Sequence, residues 1–253
     1  MNGNTEPLIA VIGHPIAGNP TQFAIECALK SLELDYRVLS FDVPAENLAA
    51  AINGLEVLGF RGVLVDQTLA SDVAQWWQEK TENETIGAPI HCLFRDPDSQ
   101  MSLTPHNAKY DFLVKACDLH IQSRDVAIED VLWLGARDEF FPIEPPEGKE
   151  MALFTRTPPI ESVQQASLIV LAPGPKNDVR LEASEWPADD GSTLVIDLTD
   201  DHDELMDVDA KGYTTLSRRS VQTGIIQESL VRWSGQEAIA SVINEAIEEY
   251  LGV

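Results

Sequence analysis

An α/β fold is what the sequence predicts, and three observations carry the prediction. Residues 8–13 (LIAVIG) and 63–65 (VLV) are short, wholly apolar runs fenced by turn residues. Such runs, rich in β-branched side chains, suit strands covered on both faces. Stretches with helical spacing separate these runs, which argues for parallel βαβ units. The residues after the second run, Asp66, Gln67 and Thr68, would then stand beyond the carboxyl end of a strand. That is where open α/β sheets bind their ligands. No Lys, His or Cys lies between Gly62 and Asp72, so this strand end can hydrogen-bond but offers no proton donor working near neutral pH.

Taken in order, residues 8–13 are the first buried strand. A turn at 15–20 (PIAGNP) leads into a helix over 21–34, spaced through Phe23, Cys27, Leu29 and Leu32. Residues 35–43 (DYRVLSFDV) alternate as a second strand. Pro44 and Glu46 open a helix running to about Val57. Gly59 and Gly62 bracket the turn into the third strand. Residues 71–81 read as a helix with Val73, Trp76 and Trp77 on one side and Ser71 or Asp72 as its cap. A strand follows at 87–94 and a turn at 95–100. A helix then spans 104–119, with Pro105 in its first turn and Tyr110, Phe112, Leu113 and Ala116 as core positions.

A second unit begins with strands at 131–136 (VLWLGA) and 151–155 (MALFT). Only residues 137–150 lie between them, with Pro142, Pro145, Pro146 and Gly148. A parallel crossover normally needs a dozen or more residues including a helix. Three prolines here forbid a normal one. Further strands fall at 167–172 and 193–198, and two amphipathic helices close the chain at 220–233 and 236–251. There is no internal repeat, and the one biased stretch is an acidic loop at 200–209.

The chain of 253 residues has room for one large domain or two modest ones. Its 42 acidic residues against 17 basic ones give a net charge of −25. Nucleic acid and anionic membranes both reward a basic face, so neither is an expected partner. Cys27, Cys92 and Cys117 are too widely spaced for a disulfide framework or a CxxC metal site. Residues 1–7 lack the basic and apolar regions of a signal peptide, and no apolar run reaches the length of a membrane span. A cytoplasmic protein is expected.

The order of these segments resembles the shikimate dehydrogenase family over nearly the whole chain. VIGHPIAGNP at 11–20 is similar to the family's opening VIGxPIxHSxSP, and residues 34–65 follow its second strand, helix and third strand. IGA at 86–88 matches the start of IGAVNT, and HNAKYDFL at 106–113 sits where NTDGxGF is expected. LGA at 134–136 matches the start of the glycine-rich nucleotide loop, and LVRWSG at 230–235 is similar to the closing FxxWTG. The resemblance implies an N-terminal α/β substrate-type domain, residues 1–104 with about 225–253, whose closing helices pack back on it. It also implies a reduced Rossmann-like domain, residues 105–224, with a shortened first crossover. The implied activity is reversible NADP-linked hydride transfer at shikimate, with a lysine and an aspartate handling the proton.

Position by position, the departures are severe. The family's paired serines, which hold the substrate carboxylate, fall on Asn19 and Thr21. Its lysine falls on Ala70, its substrate-binding asparagine on Leu64, and its aspartate on Ala108 or Lys109. The asparagine and threonine of GAVNT fall on Ile90 and His91, and the late glutamine on Ile225, with Gln222 and Gln227 within one turn. Of the nucleotide loop only Gly135 and Ala136 remain, followed by Arg137, Asp138 and Glu139. Thr155, Arg156 and Thr157 resemble NRT, whose arginine pairs with the NADP 2′-phosphate.

Each candidate has a plainer alternative. Asp66 is a substitute base or a turn cap. Asn19 and Thr21 bind an acid or polyol, or cap the first helix. Arg156 and Thr157 hold phosphate or are solvated surface. His91 and Cys92 point to opposite faces of a strand, so no shared metal is expected. Trp76, Trp77 and Trp133 are packing residues. Arg218 and Arg219 meet an anion or pair with nearby carboxylates.

The sequence therefore reads as a shikimate dehydrogenase-like protein that has lost hydride transfer. In this reading it binds a small hydroxylated or carboxylic ligand through Asn19, Thr21, Asp66, Gln67, Gln222 and Gln227, without a nicotinamide cofactor. The alternative is an active NADP-dependent shikimate or quinate dehydrogenase using Asp66, Gln67 and Lys109, with cofactor contacts at Gly135, Ala136, Arg156 and Thr157. A third reading is a protein partner of another pathway enzyme, docking around residues 137–150, or a homodimer.

Overall fold

The computed structural model describes residues 6–81, 87–96, 102–137, 141–173, 181, 185–199 and 204–252. The chain forms two compact units, Met1–Asp111 with Thr223–Val253, and Phe112–Gln222. In the first unit β1 (Leu8–Gly13) is followed by α1 (Thr21–Ser31) and β2 (Arg37–Asp42). A 3-10 turn over Ala45–Asn47 leads into α2 (Leu48–Val57), then β3 (Gly62–Val65) and α3 (Ala70–Thr81). Next come β4 (Cys92–Arg95), β5 (Leu103–His106) and the start of α4 (Ala108–Arg124).

The five strands lie in the order β2-β1-β3-β4-β5. β1 pairs in parallel with β2 and β3, as the apolar runs predict. β4 runs antiparallel to both of its neighbours, β3 and β5, which corrects the all-parallel expectation. Thr104 and Pro105 belong to β5 and not to the first turn of a helix. Proline suits a helix start, but it also suits an edge strand, where its missing N–H forfeits no ladder bond. α3 starts at Ala70, so Ser71 and Asp72 sit inside its first turn instead of capping it. α1 ends at Ser31, short of residue 34, because Glu33 turns to φ +57°.

The second unit holds β6 (Val131–Leu134), β7 (Ala152–Phe154), α5 (Ile160–Gln165), β8 (Leu168–Leu171) and β9 (Leu194–Asp197). It finishes with α6 (Glu204–Ala210) and β10 (Thr214–Leu216). The sheet is parallel throughout, in the order β10-β9-β8-β6-β7. α5 and β10 go beyond what the sequence pattern predicts. The acidic loop is corrected too: α6 forms within it because Leu205 and Val208, three apart, bury one helical face, while residues 200–203 lie outside the described residues.

α7 (Arg218–Ser234) and α8 (Ala240–Leu251) close the chain, and α7 begins in the second unit. Alternation along β1 builds the two cores of the first sheet. Ile9 and Val11 pack with α1, α7 and α8, whereas Ala10 and Ile12 pack with α2 and α3. Trp233 of α7 is fully buried, and its Nε1 donates to the Leu93 carbonyl at 3.0 Å. A Cβ at Gly62 would lie 2.1 Å from that indole nitrogen, which is why β3 opens on glycine. In α4 Leu113 and Cys117 are buried while Tyr110 is 43% exposed, contrary to its expected core place. No helix among the described residues is long and apolar enough to cross a membrane.

Candidate functional site

The polar side chains of the first unit gather at the carboxyl ends of β1 and β3. Asp66 follows β3 directly. Its Oδ1 accepts from the Thr68 backbone N–H (3.0 Å) and from the Thr68 hydroxyl (2.8 Å), and its Oδ2 accepts from Asn19 Nδ2 at 2.8 Å. The first of these is an Asx turn, which leads the chain from the strand toward α3. Asn19 Oδ1 accepts from the Thr21 backbone N–H at 2.9 Å. That bond satisfies one of the free donors at the head of α1. Thr21 itself is buried. The structure thus joins Asn19, Thr21 and Asp66, but it joins them to one another.

Next in the chain, Gln67 is exposed, and its Oε1 faces His91 Nε2 at 3.2 Å. His91 is 2% exposed. Burial holds its imidazole far below the ordinary range, to about 3, and the positive charge of Lys109 pushes the same way. The ring is therefore neutral at physiological pH, and with Nε2 donating to Gln67, Nδ1 has no hydrogen-bond partner among the described residues. Cys92, next in the chain, is buried and its thiol is pushed up to about 12 by burial. No cluster of three or more His, Cys, Asp or Glu among the described residues could hold a metal.

Ala70, at the position of the family's lysine, is fully buried at the head of α3, and its carbonyl accepts from the Ile90 N–H at 2.9 Å. Gln227 donates its Nε2 to the Ala238 carbonyl at 2.7 Å, which ties α7 to the start of α8. Gln222 is half-buried near the start of α7, at the boundary of the second unit.

In the second unit Gly135 and Ala136 follow β6. Their N–H groups are taken by the carbonyls of Phe154 (2.9 Å) and Pro173 (3.0 Å). Gly135 adopts φ +114°, and a Cβ there would fall 2.0 Å from the Ala172 carbonyl oxygen. Trp133 Nε1 donates to the Ala136 carbonyl, and Phe141 packs edge-on against the Trp133 ring at 5.0 Å. Residues 135–137 and 141–151 contain no helix; Asp138 and Glu139 lie outside the described residues. Arg137 Nη2 is 3.7 Å from Glu144 Oε1. Arg156 and Thr157 are exposed just beyond the end of β7.

Sequence reasoning missed four groups here: His14, the Ile16 N–H, Asp42 and the His91 ring as a partner of Gln67. His14 Nδ1 and the Ile16 N–H both meet Asp42 Oδ1 at 3.1 Å, and the His14 N–H donates to Thr68 Oγ1 at 3.3 Å. The signal available was position alone: His14 follows β1, and Asp42 ends β2.

No family model matches the chain. The NADP(+)-dependent shikimate dehydrogenase of Carboxydothermus hydrogenoformans is 35% identical over 129 residues, 51% of this chain and 45% of that protein. The corresponding enzyme of Rubrobacter xylanophilus is 37% identical over 101 residues, 40% of this chain and 35% of its own. The matched stretches thus span less than half the length of these relatives. Among solved structures, shikimate 5-dehydrogenase from Thermus thermophilus in complex with shikimate superposes with a TM-score of 0.69 at 20% identity, covering 98% of this chain and all of that one. Ligand-free 5-ketofructose reductase of Gluconobacter superposes with a TM-score of 0.70 at 16% identity, covering 98% and 99%. Parts of the chain are thus similar in sequence to shikimate dehydrogenases, and the whole chain shares the fold of the solved structures.

Proposed function

We propose that this shikimate dehydrogenase-like chain binds a small hydroxylated or carboxylic ligand at the carboxyl ends of β1 and β3 and does not transfer hydride. The observation that carries this reading is Ala70, a buried methyl group where the family places its proton-handling lysine. General acid–base assistance contributes about 10²–10⁴-fold, or roughly 3–5 kcal/mol of barrier. Asp66 makes a poor substitute, because both its oxygens are occupied by Asn19 and Thr68.

The resemblance implies NADP, and the second unit does not fit it. A diphosphate is held by free backbone N–H groups at a glycine-rich turn and by a helix N-terminus. Here the N–H groups of Gly135 and Ala136 are already donated to carbonyls, and no helix forms over residues 141–151. Binding is supported on the first side by polar groups at the strand ends, where α/β folds place ligands.

Thermal denaturation with shikimate, quinate, NADP and NAD tests this reading. At a hundredfold excess over Kd a ligand of the native state stabilises by about 2.7 kcal/mol. A shift with shikimate or quinate and none with either nucleotide is the expected result. One observation favours a second reading, an active NADP-linked dehydrogenase: Arg156 stays exposed beyond β7, where the family's arginine meets the 2′-phosphate. NADP-dependent turnover of shikimate that disappears in Asp66→Ala would establish it. If no compound shifts the melt, a role as a protein partner takes precedence.

A further inference from the structure

We propose that the ligand's carboxylate docks on the Gln67 amide, which His91 holds in place. The inference rests on the binding reading above. On the α1 side the expected acid-binding groups are engaged: Asn19 uses its oxygen on the Thr21 N–H and its nitrogen on Asp66, and Thr21 is buried. An incoming carboxylate would have to share the Asn19 amide with the Asp66 carboxylate, whose charge repels it.

Gln67 differs in each respect. It is exposed, and among the described residues its one hydrogen bond is made by its oxygen, to His91 Nε2 at 3.2 Å. That leaves both amide N–H donors directed away from His91. The imidazole is buried between strand ends and held by packing, so it fixes the amide's orientation instead of following it. The positive charge of Lys109 reaches His91 from the head of α4. Asp66 opposes an anion by its charge, but its oxygens are turned to Asn19 and Thr68. His91 is thus a positioning residue and Gln67 the contact.

The test compares shikimate with its methyl ester by calorimetry on the full chain. The acid should bind at least about tenfold more tightly, a difference of about 1.4 kcal/mol. Gln67→Glu replaces the donors with a repelling oxygen and should bring the acid-to-ester ratio to one or below while the ester still binds. His91→Phe should lower the same ratio through loss of amide orientation, a readout that general loss of stability would not move. Equal binding of acid and ester, or an unchanged ratio in Gln67→Glu, overturns this subsite while leaving the binding reading intact. If neither compound binds, the binding reading falls and the subsite falls with it.

Discussion

β3 and β6 are each interior strands of their own sheets, and their carboxyl ends are finished in different ways. At β3 the chain ends in polar side chains, and several of them, Asn19, Asp66 and Thr68, bind one another. Gln67 remains turned outward beside them. At β6 the turn is finished by backbone: Gly135 and Ala136 give their N–H groups to Phe154 and Pro173, and aromatic rings close over the start of the crossover. A side-chain site can be re-tuned by substitution while its strands stay in place. A diphosphate site is made of backbone geometry and a helix N-terminus, so it depends on the course of the chain more than on single side chains.

Several experiments would break or sharpen that contrast. The largest expected effect is from Trp233→Ala, which opens a cavity behind β3 and should cost about 3–5 kcal/mol in denaturant unfolding. Gly135→Ala should cost roughly 3 kcal/mol, since it combines strained backbone with a clash against the Ala172 carbonyl. A fully stable Gly135→Ala protein would show that the β6 turn is less fixed than its hydrogen bonds indicate. Asp66→Ala removes bonds to Asn19 and Thr68 and should cost about 2 kcal/mol, read as a lower melting temperature.

His91 gives a pH-dependent effect that is absent at neutral pH and grows as the pH falls. Its pKa is lowered from 6.5 to about 3, so below pH 6.5 the unfolded chain takes up a proton that the folded chain refuses. Stability should therefore fall as pH drops from 6.5 toward 3, by up to about 1.4 kcal/mol per pH unit, and the contribution is fully present above that window. Unfolding curves at several pH values should show a shallower slope in His91→Phe. The least effect is expected at Arg232, whose exposed pair with Asp111 at 3.2 Å should contribute no more than about 0.5 kcal/mol in a double-mutant cycle.

Legibility in the sequence followed the physics of each segment. β1 was bounded to the residue because a wholly apolar run between turns has few alternatives. α6 was hidden because its three acidic residues continue an acidic stretch, and only the Leu205–Val208 spacing marks its buried face. β5 was hidden because Thr-Pro reads equally as a helix start and as an edge strand. At the candidate site, the place of Asp66 and Gln67 at a strand end was legible because they follow a recognisable strand. The Asp42–His14 pair and the His91–Gln67 bond were not, since their partners lie 28 and 24 residues apart.

By itself the sequence determined the alternation of strands and helices, the absence of a lysine after β3 and the proline-broken crossover after β6. These are local matters of apolar period, residue identity and backbone restriction. Only the tertiary structure decided which polar groups remain available. Asn19, Asp66, Gly135 and Ala136 all look like binding groups in one dimension, and each is engaged by a partner that folding brings to it. A hydrogen bond spent inside the fold is not open to a ligand, and no local pattern records where it has gone.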